Sequence, residues 1–389
     1  MARIYLDYNA TSPLHPHVLA RQFAVSRDVF GNPSSVHAFG QQAKAVVDEA
    51  RRHVAALLHA EASEIVFTSG GTEADNFALR GALEAAEPTG RRHVVTTAIE
   101  HEAVLRTVTA LERRGWQATV VRVGPSGIVA PEAIAAALTP QTAIVSVMHA
   151  NNEVGTLQPL AEIAPLVHAA GALLHTDAVQ TTGKWRVDVG ALNVDLLSLS
   201  AHKFGGPKGV GALYVRKGTR LLPIQTGGKH ERNRRAGTEN VPGIAGLGEA
   251  ARLASDAMND TMPRVAALRD ALEVGILAAI DGTAVNGQRD ARVPNTTNIS
   301  FDRVEAESLL IALDLEGVAV STGSACSSGA LEPSHVLRAM GLPAHRTQNS
   351  IRFSLGPDTT ADEIDTVLRL IPPVVEKLRH VSKSAQVRR

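Results

Sequence analysis

Two segments decide the fold: Ala172-Leu-Leu-His-Thr-Asp-Ala-Val-Gln180 and, further on, Val194-Asp-Leu-Leu-Ser-Leu-Ser-Ala-His-Lys203. Each opens as a short apolar run, Ala172 to Thr176 and Val194 to Leu199, and then breaks into polar, reactive side chains. Runs of this length without helical spacing predict buried strands. The reactive side chains then fall at the strands' carboxyl ends. In an open α/β sheet the loops at that edge form the ligand crevice.

Working outward, the same alternation continues on both sides. Ala43, Val46, Val47, Ala50, Val54, Leu57 and Leu58 recur at helical spacing. Glu64 to Thr68, His93 to Thr97, Ala118 to Val123 and Ala143 to Met148 read as strands. Glu73 to Ala86, Glu102 to Arg114, Pro131 to Leu138 and Leu160 to Ala170 read as the helices between or after them. Strands separated by single helices predict βαβ units, hence an α/β fold with a mostly parallel sheet sandwiched by helices. Gly209 to Val215 follows by a link too short for a helical crossover and is expected to run antiparallel at an edge. Beyond the helical pattern Ile244 to Met258 the texture changes. Strands at Thr297 to Phe301, Val318 to Ser321 and Ser350 to Leu355 alternate with helices near Glu305 to Leu315 and Ala361 to Arg379, a smaller α+β domain. The expected division is residues 15–258 for the large domain, and 1–14 plus 259–389 for the small one.

Composition narrows the function. The chain has 389 residues, and its 39 Lys plus Arg balance 39 Asp plus Glu. No whole-chain field therefore favours nucleic acid or an anionic membrane, and 3% aromatic residues offer few stacking platforms. The single cysteine, Cys326, excludes an intrachain disulfide and a cysteine-built metal cage, so no metal is expected. No apolar stretch approaches the roughly 18 residues of a membrane span, and the start, MARIYLDYNATSP, lacks a signal-peptide core. A soluble cytoplasmic protein is the expectation.

Five strand ends carry the chemistry. Ser69-Gly-Gly-Thr72 reads by itself as a turn with a helix cap; in a crevice it makes a phosphate seat, because Gly70 and Gly71 admit close approach and the helix offers free N–H groups. It is neither GxGxxG nor a Walker A loop, which disfavours dinucleotides and nucleoside triphosphates. Asp177 ends an apolar strand, and no Lys or Arg lies nearby in sequence to pair with it; a protonated ring nitrogen of a cofactor would serve. Lys203, after an apolar strand and before Phe204-Gly-Gly-Pro, would have a desolvated, nucleophilic amine able to hold an aldehyde as an imine. His101 reads either as a helix-start residue or as a ring-stacking proton shuttle. Phosphate seat, strand-end carboxylate and buried lysine together are what pyridoxal 5'-phosphate requires. In the small domain Cys326 sits in Ser321-Thr-Gly-Ser-Ala-Cys-Ser-Ser-Gly329, too polar a run to bury a thiol easily. Arg352 interrupts an apolar strand, pointing either outward or toward a substrate carboxylate.

These residues resemble the NifS/IscS-type cysteine desulfurases among the class V aminotransferase-like, fold-type I pyridoxal-phosphate enzymes. The likeness runs nearly end to end, through Tyr5-Leu-Asp-Tyr-Asn-Ala-Thr11, Thr68-Ser-Gly-Gly-Thr-Glu-Ala-Asp-Asn76, Asn151-Asn-Glu-Val-Gly-Thr156, His175 to Gln180, Ser198 to Lys203, Arg235-Ala-Gly-Thr-Glu-Asn240 and Ser324-Ala-Cys326. The resemblance implies that Lys203 forms the imine, Asp177 pairs with the ring nitrogen and His101 stacks on the ring. It implies ring-hydroxyl contacts from Asn152 and Gln180, and phosphate contacts from Gly71, Thr72, Ser200 and His202, with Thr238 supplied across a homodimer interface. Arg352, helped by Asn152, would hold the carboxylate of L-cysteine, and Cys326 would take its sulfur as a persulfide. The implied recipient is an iron–sulfur scaffold or a thiolation enzyme. A selenocysteine lyase or related lyase is the alternative within the class. A silent scaffold of a sulfur relay is disfavoured because Lys203, Asp177 and Cys326 are all present.

Overall fold

The computed structural model describes residues 3–323 and 333–386; Cys326 lies outside the described residues. In chain order the elements begin with β1 (Ile4–Tyr5), α1 (Pro16–Asp28), α2 (Ala38–Leu57), β2 (Ile65–Thr68), α3 (Gly71–Ala86), β3 (His93–Thr97), α4 (Glu102–Glu112), β4 (Gln117–Val121) and α5 (Pro131–Ala137). They continue with β5 (Thr142–Ser146), α6 (Leu160–Ala169), β6 (Leu173–Asp177), α7 (Val189–Leu192), β7 (Leu196–Ser200), β8 (Gly211–Val215) and α8 (Val241–Ala279). Last come β9 (Thr283–Val285), β10 (Thr296–Phe301), α9 (Ala306–Leu315), β11 (Val318–Ala319), α10 (His335–Ala339), α11 (Ala344–Gln348), β12 (Ser350–Ser354) and α12 (Ala361–Gln386).

The main sheet has the order β2-β8-β7-β6-β5-β3-β4. All neighbours pair in parallel except at β8, which is antiparallel to both β2 and β7. Residues 209–215 therefore run in the expected direction but not at an edge; β2 lies outside them. The reason is that β2 is buried along its whole length and needs a partner, while α3 carries the chain across to β3 on the far side. β8 fills the slot left between β2 and β7.

Adjacent strand residues serve opposite faces. Val66, Val94, Ile144 and Leu196 join Phe77, Leu83 and Val104 of α3 and α4 in one core. Their neighbours Phe67, Val95, Val145 and Leu197 join residues of α2, α6 and α8 in the other. Both faces are thus apolar, as a helix-covered parallel sheet demands.

The second layer is antiparallel, with order β12-β10-β9, beside a parallel β1–β11 pair. Ile4 and Leu6 share its core with Leu272 of α8, Phe301, Phe353 and Val367 of α12. Helix α8 joins both cores without a break, although Pro263 lies within it. The division expected after residue 258 falls inside that helix. Among the described residues no helix is long and apolar enough to cross a membrane.

Candidate active site

Because β2, β3, β5, β6 and β7 all point the same way, their carboxyl ends meet along one edge. The loops there, closed by Arg352 from β12 and by Asn9 and Ala10 from the N-terminal segment, surround a cavity of about 340 Å³. Gly71, Thr72, His101, Asn152, Asp177, Gln180, Ser200, His202, Lys203 and Arg352 all line it. Ten sequence-predicted residues from six separate stretches of chain thus converge on one chamber. Thr238 is exposed and does not line the chamber of its own chain.

Asp177, at the end of β6, is 6% exposed, and Val179 N donates to its Oδ1 at 2.9 Å. Burial pushes its carboxyl pKa up, while His101, that backbone bond and Lys203 pull it down. Asp75, from α3, also lines the chamber. It is held well above the ordinary carboxylate range, first by burial and then by the charge of Asp177. Two buried carboxyl groups facing one chamber disfavour each other's ionisation, so a cation brought between them would favour the charged form of Asp177.

Lys203 is half-buried, less enclosed than the apolar strand before it suggests. Its Nζ donates to Asn9 O at 2.7 Å and Ala10 O at 2.9 Å, which draws the amine across to the N-terminal segment. His101 caps α4, its Nδ1 accepting from Ala103 N at 3.1 Å. An acceptor at Nδ1 puts the proton of a neutral imidazole on Nε2. Burial favours that neutral form, lowering the His101 pKa, and likewise drives His202 down to about 4, helped by Lys203, Lys208 and Lys184.

Arg352 is 3% exposed, so strand alternation turned it inward. It donates through one terminal nitrogen to Asn152 O at 2.9 Å and through the other to Asp7 Oδ1 at 2.7 Å, while its Nε has no acceptor among the described residues. Asn152 Oδ1 is likewise buried without a donor among them.

Sequence reasoning overlooked the residues that hold these groups in place. Asn9 is the hub: its carbonyl accepts from Lys203 and Gln180, its Nδ2 donates to Asn152 O at 3.1 Å, and its Oδ1 faces Lys184 and Asn295. Asp7, Asn9 and Asp75 lie inside quoted motifs, but nothing local marks them as partners of residues hundreds of positions away. Lys184 stands four residues beyond Gln180 and donates to its Oε1 at 2.9 Å; that spacing was the one available signal.

The amino end of α3 has the features a phosphate seat requires. Gly70 takes φ +155, and a Cβ on Gly71 would lie 2.7 Å from Val179 Cγ2, so only glycine lets the loop sit this close. The first-turn N–H groups of a helix lack intrahelical acceptors. Glu73 accepts from Ser69 N at 2.7 Å and pairs with Arg235, fixing the loop. The residues fit pyridoxal 5'-phosphate: N–H groups for the phosphate, the buried Asp177 carboxyl for a cationic ring nitrogen, and an unpaired Asn152 Oδ1 for its hydroxyl.

Fold and chamber together define an α/β enzyme of the fold-type I pyridoxal-phosphate class. A family model described as Aminotransferase class-V matches residues 4–367, and the chain belongs to that family. Among curated proteins it is 50% identical over 382 residues to Cysteine desulfurase 2 of Trichormus variabilis, covering 98% of this chain and 95% of that one. It is 46% identical over 383 residues to Cysteine desulfurase IscS of Dictyoglomus turgidum, covering 98% and 97%. Among solved structures a NifS-like protein superposes with a TM-score of 0.91 at 37% identity, covering 97% of this chain and all of that one. SspA in complex with cysteine gives a TM-score of 0.80 at 33% identity over 92% of this chain and 100% of that one.

Proposed function

We propose that this protein is a cysteine desulfurase, converting L-cysteine to L-alanine and delivering the sulfur, as a persulfide on Cys326, to an acceptor protein. The observation that carries the reading is the meeting of Asp177, Lys203 and Arg352 in one chamber. Relatives named cysteine desulfurase over nearly their full length support it.

When bound, pyridoxal phosphate supplies an aldehyde for the substrate's amine and a ring that withdraws electrons from Cα. Asp177, buried at the chamber floor, would pair with the ring nitrogen and keep it protonated. Lys203 would hold the aldehyde, and its amine would take the substrate's Cα proton and later return it to Cα. Its two carbonyl partners on Asn9 and Ala10 keep it at the chamber wall. Arg352, oriented by Asp7 and by Asn152 O, receives the substrate carboxylate with the donor capacity left at Nε. The neutral His101 offers a flat face for stacking.

The Cys326 thiolate attacks the substrate sulfur: the new S–S bond forms as the Cβ–S bond breaks, and the electron pair and a proton go to Cβ, leaving alanine. The acceptor is an iron–sulfur scaffold or a thiolation enzyme. The working form is a homodimer, with exposed Thr238 reaching the partner's phosphate seat, and the enzyme acts in the cytoplasm.

Three proteins test the reading. The wild type should carry a visible absorbance band from the cofactor on Lys203, and Lys203→Ala should lose it. Cys326→Ala should keep the band yet release no sulfide from L-cysteine. Full-rate sulfide release from Cys326→Ala would remove the persulfide step.

A further inference from the structure

A second cavity, of about 500 Å³, shares Lys203 as a wall with the catalytic chamber. Its sides are hydrocarbon: Leu14 from the N-terminal segment, Leu253, Ala254 and Met258 from α8, Met262 further along, and Leu355 after β12. Volume and lining suit a small organic ligand. One wall residue is out of keeping with the rest. Lys184 lines this cavity while only 6% exposed.

The Lys184 amine donates to two neutral amide oxygens, Gln180 Oε1 at 2.9 Å and Asn9 Oδ1 at 3.3 Å. An ammonium has three N–H donors, and no carboxylate pairs with this one among the described residues. The charged groups acting on it, Lys203 and Arg352, have its own sign. Asp358 is the one acidic side chain among the residues lining the cavity, against His15, His17 and the two lysines. Burial, reinforced by those cations, holds the Lys184 pKa well below the usual lysine range. A buried amine without a counter-ion, at the wall of an apolar cavity, is complementary to a negative head on a hydrocarbon body.

We propose that this second cavity binds an aliphatic monocarboxylate, its carboxylate on Lys184 and its chain along α8. The site adjoins the catalytic chamber at Lys203, but binding there does not depend on the desulfurase reading. The carboxylate would supply the acceptor that the Lys184 amine lacks, and no bond to carbon is made or broken.

The probe is hexanoate, titrated calorimetrically into the cofactor-loaded protein near neutral pH. Saturable binding is expected, at a single site per chain. Hexanol should bind at least about tenfold more weakly, and Lys184→Met should show the same loss for hexanoate. Ala257→Trp fills the cavity from its exposed wall without touching the catalytic chamber and should also abolish binding; it carries the test if Lys184→Met does not fold. The proposal is overturned by absence of saturable binding to the wild type, by hexanol matching hexanoate, or by full binding to Ala257→Trp, which would place the ligand in the catalytic chamber.

Discussion

Glu100 shows what a single buried side chain does to the whole protein. It is fully buried beside the chamber, accepting at Oε1 from Thr97 Oγ1 at 2.6 Å and Met148 N at 2.9 Å, while Oε2 has no donor among the described residues. Burial raises its pKa from 4.5 to about 8, against the pull of those two hydrogen bonds. Between these values the folded chain holds a proton that the unfolded chain has released, so stability falls as pH rises through the window. Glu100→Gln keeps an acceptor at Oε1 and cannot ionise. Its melting temperature relative to wild type should therefore climb from the acid to the alkaline side of the window, as thermal melts of both proteins will show. An offset that does not change with pH would mean that Glu100 is ionised throughout.

Among the elements, α3 has the strictest local requirement. Its amino end is wedged between Val179 and Ser200, and an alanine Cβ at position 71 would lie 2.7 Å from Val179 Cγ2 and 3.6 Å from Ser200 Cβ. Valine cannot swing that methyl away cheaply, and the backbone N–H of Val179 is the donor to Asp177. Gly71→Ala should thus favour the helix by propensity yet disturb the chamber at the phosphate seat and at Asp177 together. The expected result is an unchanged far-ultraviolet spectrum with pyridoxal phosphate affinity at least about tenfold weaker, measured by titrating the apoprotein. Undiminished affinity would show that the seat has room to spare. Gly211 serves the same approach from β8, since a Cβ there would stand 2.8 Å from the Gly70 backbone.

At the scale of the molecule, one buried ion pair joins three distant parts of the chain. Arg51 of α2 grips Glu231 through two hydrogen bonds of 2.7 and 2.8 Å and also donates to Ile65 O, while Glu231 accepts from Phe67 N. The guanidinium lies 4.5 Å from the Phe67 ring centroid. Edge strand β2 and the segment carrying Arg235 and Thr238 are therefore tied to the same helix. Arg51→Met leaves Glu231 buried without its cation, a change that costs about 3–5 kcal/mol. Urea unfolding should show a loss of that size; a loss below about 1 kcal/mol would mean that solvent reaches Glu231.

The chain's local sequence determined its strands, helices and layer plan, because period and strand-end composition are local properties and the parallel sheet follows from their alternation. It also marked the chamber: Asp177, Lys203 and the Ser69–Thr72 loop are unusual against their own neighbours. Only the tertiary structure decided that β8 lies inside the sheet, that Arg352 faces inward, and that Asn9 binds Lys203 across 194 positions. Those outcomes depend on which strand finds which partner and where each carbonyl ends up, and a polar group's partner in space leaves no imprint on the residues beside it in sequence.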